Sequence, residues 1–185
     1  MLYEIGDKVL DEWVITRTIG EGSYGKVVEI ERNEFGLSMK SALKIISIPG
    51  NNSELKAVMG EGVDNKSITS YFYGFVEEII KEIAIMSELK GHTNIVTYED
   101  HRVIPHEDHI GWDILIRMEL LTSLLDYSEE HEITEQTVIK LGTDILTALE
   151  VCQKYHVVHR DIKPENIFVS ATGDFKLGDR KSTRL

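Results

Sequence analysis

His159-Arg160-Asp161-Ile162-Lys163-Pro164-Glu165-Asn166 places an acid, a cation and an amide at the spacing that phosphoryl transfer from ATP needs. Such a transfer asks little covalent chemistry of a protein. The enzyme orients a hydroxyl nucleophile, neutralises charge on the phosphate oxygens and holds Mg²⁺. Asp161 can accept the proton of the attacking hydroxyl, and Lys163 can reach the γ-phosphate. Asn166, five residues after Asp161, offers a neutral oxygen to a metal already crowded by phosphates.

This octapeptide resembles the catalytic loop of the protein kinases. The resemblance directs attention upstream, where Ile19-Gly20-Glu21-Gly22-Ser23-Tyr24-Gly25-Lys26-Val27 has the G-x-G-x-x-G-x-V form of the loop that covers the phosphates in that family. Glycines let backbone N–H groups approach a phosphate with no Cβ in the way. The flanks Trp13-Val14-Ile15 and Val27-Val28-Glu29-Ile30 read as short strands, giving strand, turn, strand. A dinucleotide-binding fingerprint would instead open a helix.

Nineteen residues after Gly25, within Ser41-Ala42-Leu43-Lys44-Ile45-Ile46, lies Lys44 in a stretch similar to the family's V-A-I-K strand. The resemblance makes it the ligand of the α- and β-phosphates. A lysine in an apolar strand is costly to bury alone, so a carboxylate partner is expected. A helix expected from about Phe75 to Leu89 supplies it: Phe75, Ile79, Ile83, Met86 and Leu89 recur at three- and four-residue steps, and Glu82 lies beside that stripe. Glu82 fits the family's helical glutamate once one extra residue, Gly91, is allowed before His92-Thr93-Asn94-Ile95-Val96. By itself it would read as a solvated residue like Glu77, Glu78 and Glu88.

Further along, Ile114-Leu115-Ile116-Arg117-Met118-Glu119-Leu120-Leu121 resembles the strand and hinge between kinase lobes. The resemblance implies that Met118 is the gatekeeper, that the Glu119 carbonyl and Leu121 N–H bind the adenine edge, and that Ile19, Val27, Ala42 and Phe168 sandwich the ring. Thr122 to Asp126 is short and lacks the usual glycines, which leaves ribose contacts unassigned. Lys163 resembles the serine/threonine pattern. Arg160 resembles the arginine that meets an activation-loop phosphate.

These residues need a two-lobed α+β frame: residues 1–121 as a complete β-rich small lobe with the hinge, and residues 122–178 as the first part of a helical large lobe. Between Pro49 and Tyr73 lies a polar, glycine-containing insertion with room for a short extra helix, read as a tolerated surface insertion or as a control on the Glu82 helix. Pro105-His106-Glu107-Asp108-His109, with His101 nearby, falls between apolar strands, where a solvated hairpin loop is expected rather than a metal site. Thr134 is suited to cap a helix with Glu135 in its first turn. Its expected buried face is Val138, Leu141, Ile145, Leu149 and Cys152, leading into the catalytic loop.

Composition bounds the rest. With 42% hydrophobic residues among 185, a core can form, while a net charge of −12 argues against nucleic acid or anionic membrane as the main partner. One cysteine gives no disulfide framework, and neither a signal peptide nor a spanning run is evident, so a cytoplasmic domain without membrane contact is expected. Protein substrates with serine or threonine hydroxyls, ATP and Mg²⁺ are the partners that the resemblance implies. The long insertion resembles bacterial members of the family.

After Lys176-Leu177-Gly178 the family runs into Asp-Phe-Gly, whose aspartate binds Mg²⁺, but here Asp179 is followed by Arg180-Lys181-Ser182-Thr183-Arg184-Leu185. Residues 179–185 are the translation of gatcggaagagcacacgtctg, which resembles a sequencing-library adapter, so they read as a non-native tail. Asp179 is called for by both readings and stands as a metal-ligand candidate. A chain cut there is expected to be inactive and aggregation-prone. Two alternatives stay open for the parent protein: a nucleotide-binding pseudokinase scaffold, and a small-molecule phosphotransferase with a kinase-like fold.

Overall fold

The computed structural model describes residues 3–22, 25–59 and 64–178. They fall into two compact units, 1–80 with 99–120 and 81–98 with 121–185.

The first unit is built on a six-stranded sheet in the order β1-β2-β3-β4-β6-β5. Its strands are β1 (Lys8–Val9), β2 (Trp13–Gly22), β3 (Gly25–Glu34), β4 (Leu37–Ile48), β5 (Tyr98–Pro105) and β6 (Trp112–Met118). Neighbours β1 through β4 are antiparallel hairpin partners, and β6 pairs antiparallel with β4. Side chains alternate between faces with a period of two. That alternation gathers Trp13, Ile15, Val28, Ile30, Leu43 and Leu115 into one buried cluster. The guanidinium groups of Arg32 and Arg117 lie 5.8 and 4.9 Å from the Trp13 ring centre, so cations cover the edge of this core.

The expected insertion is largely helical. Helix α1 (Asn52–Val58) is capped by Asn51, whose side chain accepts from the N–H groups of Ser53 and Glu54. Helix α2 spans Asn65–Glu88, starting ten residues before the expected Phe75. Asp64 accepts from the Ser67 N–H at 2.9 Å at its start. Ile68, Phe72, Val76, Ile79 and Ile83 are all buried, extending the apolar stripe backwards at three- and four-residue steps. Gly60, Glu61 and Gly62 lie outside the described residues.

The second unit holds β7 (Thr122–Ser123), α3 (Leu124–Glu130), α4 (Glu135–Lys154), a 3₁₀ turn (Pro164–Asn166), β8 (Ile167–Val169) and β9 (Phe175–Leu177). The Thr134 hydroxyl accepts from the Thr137 N–H at the start of α4, the expected cap. Ala148 of α4 packs with Ile167, Val169, Phe175 and Leu177, and Leu141, Ile145 and Leu149 lie against that cluster. Cys152 is buried, but Val138 is 53% exposed, so the expected buried face begins one turn later. Asp144 fastens the helix to β9 by accepting the Phe175 N–H at 2.8 Å. Residues 94–96 join β9 on its other edge through Val96 N–H to Leu177 O (3.0 Å) and Leu177 N–H to Asn94 O (2.8 Å).

Candidate active site

Strand register gathers one group of the candidate residues within the first unit. The antiparallel pairs Val27↔Lys44, Glu29↔Ala42, Ala42↔Met118 and Lys44↔Ile116 put these side chains on one face, opposite the Trp13 core. Val27, Ala42, Lys44 and Met118, separated by up to 91 positions in sequence, thus share a surface. Ile19 falls where β2 slips against β3 between Thr18 and Gly20, so it is the extra residue of a bulge.

The glycines differ in what they do. At Gly20 and Gly22 an added Cβ would meet nothing within 4 Å, so open space lies where a side chain would stand and the backbone is accessible to a ligand. Gly25 has φ +121°, and its missing Cβ would collide with the Ile45 carbonyl oxygen. It is required by the close approach of β3 to β4. Glu21 pairs with Lys26 across the hairpin. Ser23 and Tyr24 lie outside the described residues.

A charged cluster on this same face escaped the sequence reading. Glu29, opposite Ala42, is buried and accepts from Arg17 Nε at 2.7 Å, Lys40 Nζ at 2.9 Å and Thr16 Oγ1 at 3.1 Å. Burial pushes the carboxyl up, but the bonds from Lys40, Arg17 and Thr16 outweigh it and hold the group at about 2. Its parity with Val27 was the available signal.

A second group of candidate residues lies within the second unit, in the octapeptide 159–166. Chain leaving α4 turns through His156, with Val157 N–H bonded to Cys152 O at 2.8 Å, and reaches Arg160 in a left-handed conformation at φ 64°. That conformation costs a non-glycine residue about 1 kcal/mol. Asn166, buried within the 3₁₀ turn, donates its Nδ2 to both the Asp161 carbonyl (2.7 Å) and the Asp161 carboxylate Oδ2 (3.0 Å). Lys163 Nζ lies 3.4 Å from the same Oδ2. The three residues singled out from the octapeptide therefore form one cluster.

This cluster is tied to the end of β9. Gly178 N–H donates to Asn166 O at 2.9 Å, and buried His159 Nε2 bonds to Gly178 O at 3.1 Å. A carbonyl only accepts, so Nε2 carries the proton in that pair. At Gly178 an added Cβ would sit 2.5 Å from Val96 Cγ2 and 2.9 Å from Phe168 Cε2. Phe168, half-buried on β8, pairs with Lys176. Asp179 and the residues after it lie outside the described residues.

Glu82 is half-buried on α2, whereas Glu77, Glu78 and Glu88 are exposed, which sets it apart from the solvated residues it resembled in sequence. Met118 ends β6, Glu119 follows in the first unit, and Leu121 opens the second. The 105–109 stretch is the exposed hairpin loop that was expected, with Glu107, Asp108 and His109 exposed, but His106 is largely buried with Nε2 3.1 Å from Asp113 Oδ1.

Donor chemistry fits Mg²⁺ and a nucleotide. Asn166 spends its amide N–H groups on Asp161, which leaves its Oδ1 as a hard neutral oxygen beside a carboxylate. Gly20 and Gly22 provide the uncrowded backbone that phosphates require.

The family profile described as "Protein kinase domain" matches residues 13–180. The chain is similar to serine/threonine-protein kinase AKL1 of Saccharomyces cerevisiae, at 31% identity over 91% of the chain and 15% of the relative. It is 27% identical to cyclin-dependent kinase 7 of Dictyostelium discoideum, over 92% of the chain and 41% of the relative. Human serine/threonine-protein kinase Nek2 is 28% identical over 95% of the chain and 36% of its own length. The chain thus spans well under two thirds of these relatives.

Proposed function

Because the chain belongs to the protein kinase family, we propose that the protein to which it belongs transfers the γ-phosphoryl of ATP to serine or threonine hydroxyls of protein substrates. The observation that carries this reading is the Asp161, Lys163 and Asn166 cluster, tied through Asn166 and His159 to Gly178. Asp161 takes the proton of the substrate hydroxyl at its carboxylate. Asn166 keeps that carboxylate oriented through Nδ2, and Lys163, beside the same oxygen, balances its charge and reaches toward the transferred group.

Mg²⁺, when bound, neutralises charge on the phosphate oxygens, and Asn166 Oδ1 together with Asp179 would hold it. Lys44 binds the α- and β-phosphates and pairs with Glu82. Gly20 to Gly25 cover the phosphates with backbone N–H groups. Ile19, Val27, Ala42 and Phe168 pack on the adenine, Met118 limits the depth of its pocket, and the backbone of Glu119 and Leu121 binds its edge. Serine/threonine choice is supported by Lys163 and by the names of the similar kinases. A cytoplasmic setting is part of the same reading, and among the described residues no helix is long and apolar enough to cross a membrane.

Asp161→Asn tests the assignment, because an amide oxygen still accepts from Asn166 while the base is lost. In the protein carrying the complete domain, phosphate incorporation into a serine- or threonine-containing substrate should fall about 10²–10⁴-fold. Wild-type turnover in this variant would refute the role of Asp161.

A further inference from the structure

The segment before β1 is fastened to the first unit at Tyr3 and along β2. Tyr3 packs against the Trp13 cluster and donates its hydroxyl to Asp113 Oδ2 at 3.0 Å. Asp113, on β6, is 1% exposed, and its other oxygen accepts from Ser47 Oγ at 2.6 Å and faces His106 Nε2. Burial, followed by the Asp113 charge and hydrogen bond, pushes the Tyr3 phenol well above its ordinary value, so it stays a donor. Gly6 N–H to Ile15 O (2.8 Å) and Ile15 N–H to Asp7 O (3.0 Å) stitch the following residues to β2.

Tyr3 is also held through its backbone by Lys26, whose Nζ donates to the Tyr3 carbonyl at 2.9 Å. Lys26 is the residue after Gly25 and pairs with Ile45, the last registered pair of β3 with β4. Beyond it, Glu21↔Lys26 and Gly22↔Gly25 are pairs of β2 with β3 alone. Lys26 is therefore the last point at which β4 holds β3 before the glycines. Alternation places Lys26 on the Trp13 side and Val27 on the opposite face with Lys44, so a tether on one face sets the attitude of the other.

We propose that Lys26 is a positioning residue for the glycine-bearing ends of β2 and β3, Gly20–Gly22 and Gly25, held from outside by a strap of residues 3–9 that is anchored at Asp113. Gly20, Gly22 and Gly25 have no Cβ to restrict their backbone, and the strap supplies a restraint. When the tether is released, Gly20–Gly22 and Gly25 lose this restraint and hold a polyphosphate less well. The consequence for nucleotide rests on the transferase reading above; the mechanical role does not.

The test is hydrogen-exchange mass spectrometry on the full protein, comparing wild type with Lys26→Met, Lys26→Arg, Tyr3→Phe and the Lys26→Met/Tyr3→Phe double variant. Lys26→Met keeps the apolar stem and removes the donor. It should speed exchange about fivefold in residues 18–28, while residues 41–46 and 112–118 stay protected. Lys26→Arg should restore protection, and Tyr3→Phe should act in the same direction. Because both side chains serve one strap, the double variant should be no faster than Lys26→Met alone. In the active protein the KM for ATP should rise several-fold in Lys26→Met with kcat within about twofold. Unchanged hairpin exchange, additive effects, or an acceleration spread over the whole sheet would overturn the proposal. An inactive protein whose exchange follows the expected pattern would refute the transferase reading and leave the strap standing; an active one with unchanged exchange would do the reverse.

Discussion

Glu29→Gln isolates the electrostatic cluster on the face of the sheet that carries Val27, Ala42 and Lys44. The wild-type carboxyl falls from 4.5 to about 2 because bonds from Lys40, Arg17 and Thr16 outweigh the cost of its burial. A drop of about 2.5 units is equivalent to about 3.4 kcal/mol at neutral pH. The Glu29 side chain is 5% exposed, but Arg17 and Lys40 are 62% and 51% exposed, so water screens their side of the pairs. That screening lowers the expected contribution to about 2 kcal/mol. The folded-state value is depressed, so the stabilisation is complete above the unfolded value of 4.5 and is lost as pH falls toward about 2. Urea unfolding of wild type and variant should therefore show a gap of about 2 kcal/mol at pH 7 that shrinks by more than half at pH 3. An equal gap at both pH values, or one under about 0.5 kcal/mol at pH 7, would show that the cluster is a solvated surface pair.

Gly25→Ala should cost at least about 2 kcal/mol, since φ +121° is unfavourable for alanine and its Cβ meets the Ile45 carbonyl. Calorimetry should record a fall of roughly 4–8 °C in Tm, and an unchanged Tm would contradict the close approach of β3 to β4. Asp144→Ala, which orphans the Phe175 N–H and releases Lys140, should destabilise the second unit by about 2 kcal/mol. Asp144→Asn should lose less than half of that, because an amide oxygen still accepts from Phe175; equal losses would place the effect in the charge.

Much of the site was legible because local sequence restricts local chemistry. The Asp161-to-Asn166 spacing fixes a short loop, and the loop closes as the residue types suggest, with Asn166 bonded back to Asp161. Strand parity was readable too, so Val27, Ala42 and Lys44 fall on one face as alternation requires. The start of α2 was not. Gly74 precedes the expected start, and the residues before it read as a polar insertion with room for a short extra helix, yet Ile68 and Phe72 are buried and continue the stripe. Tertiary burial outweighed the glycine's weak helix propensity. Val138 failed in the opposite sense: it has the right period for the α4 face but is exposed, since periodicity defines a face and not how far its cover extends.

The sequence by itself determined the chemical inventory and its local order: the octapeptide, the three glycines, the parity of Lys44 and the cap at Thr134. Those depend on neighbours within a turn or a strand. Only the tertiary structure decided which of the glutamates on α2 is half-buried, that Glu29 is held by Arg17 and Lys40, and that Asp113 receives Tyr3 across 110 positions. Whether a charge is solvated or buried is settled by what register brings beside it, and register depends on strands that the sequence keeps far apart.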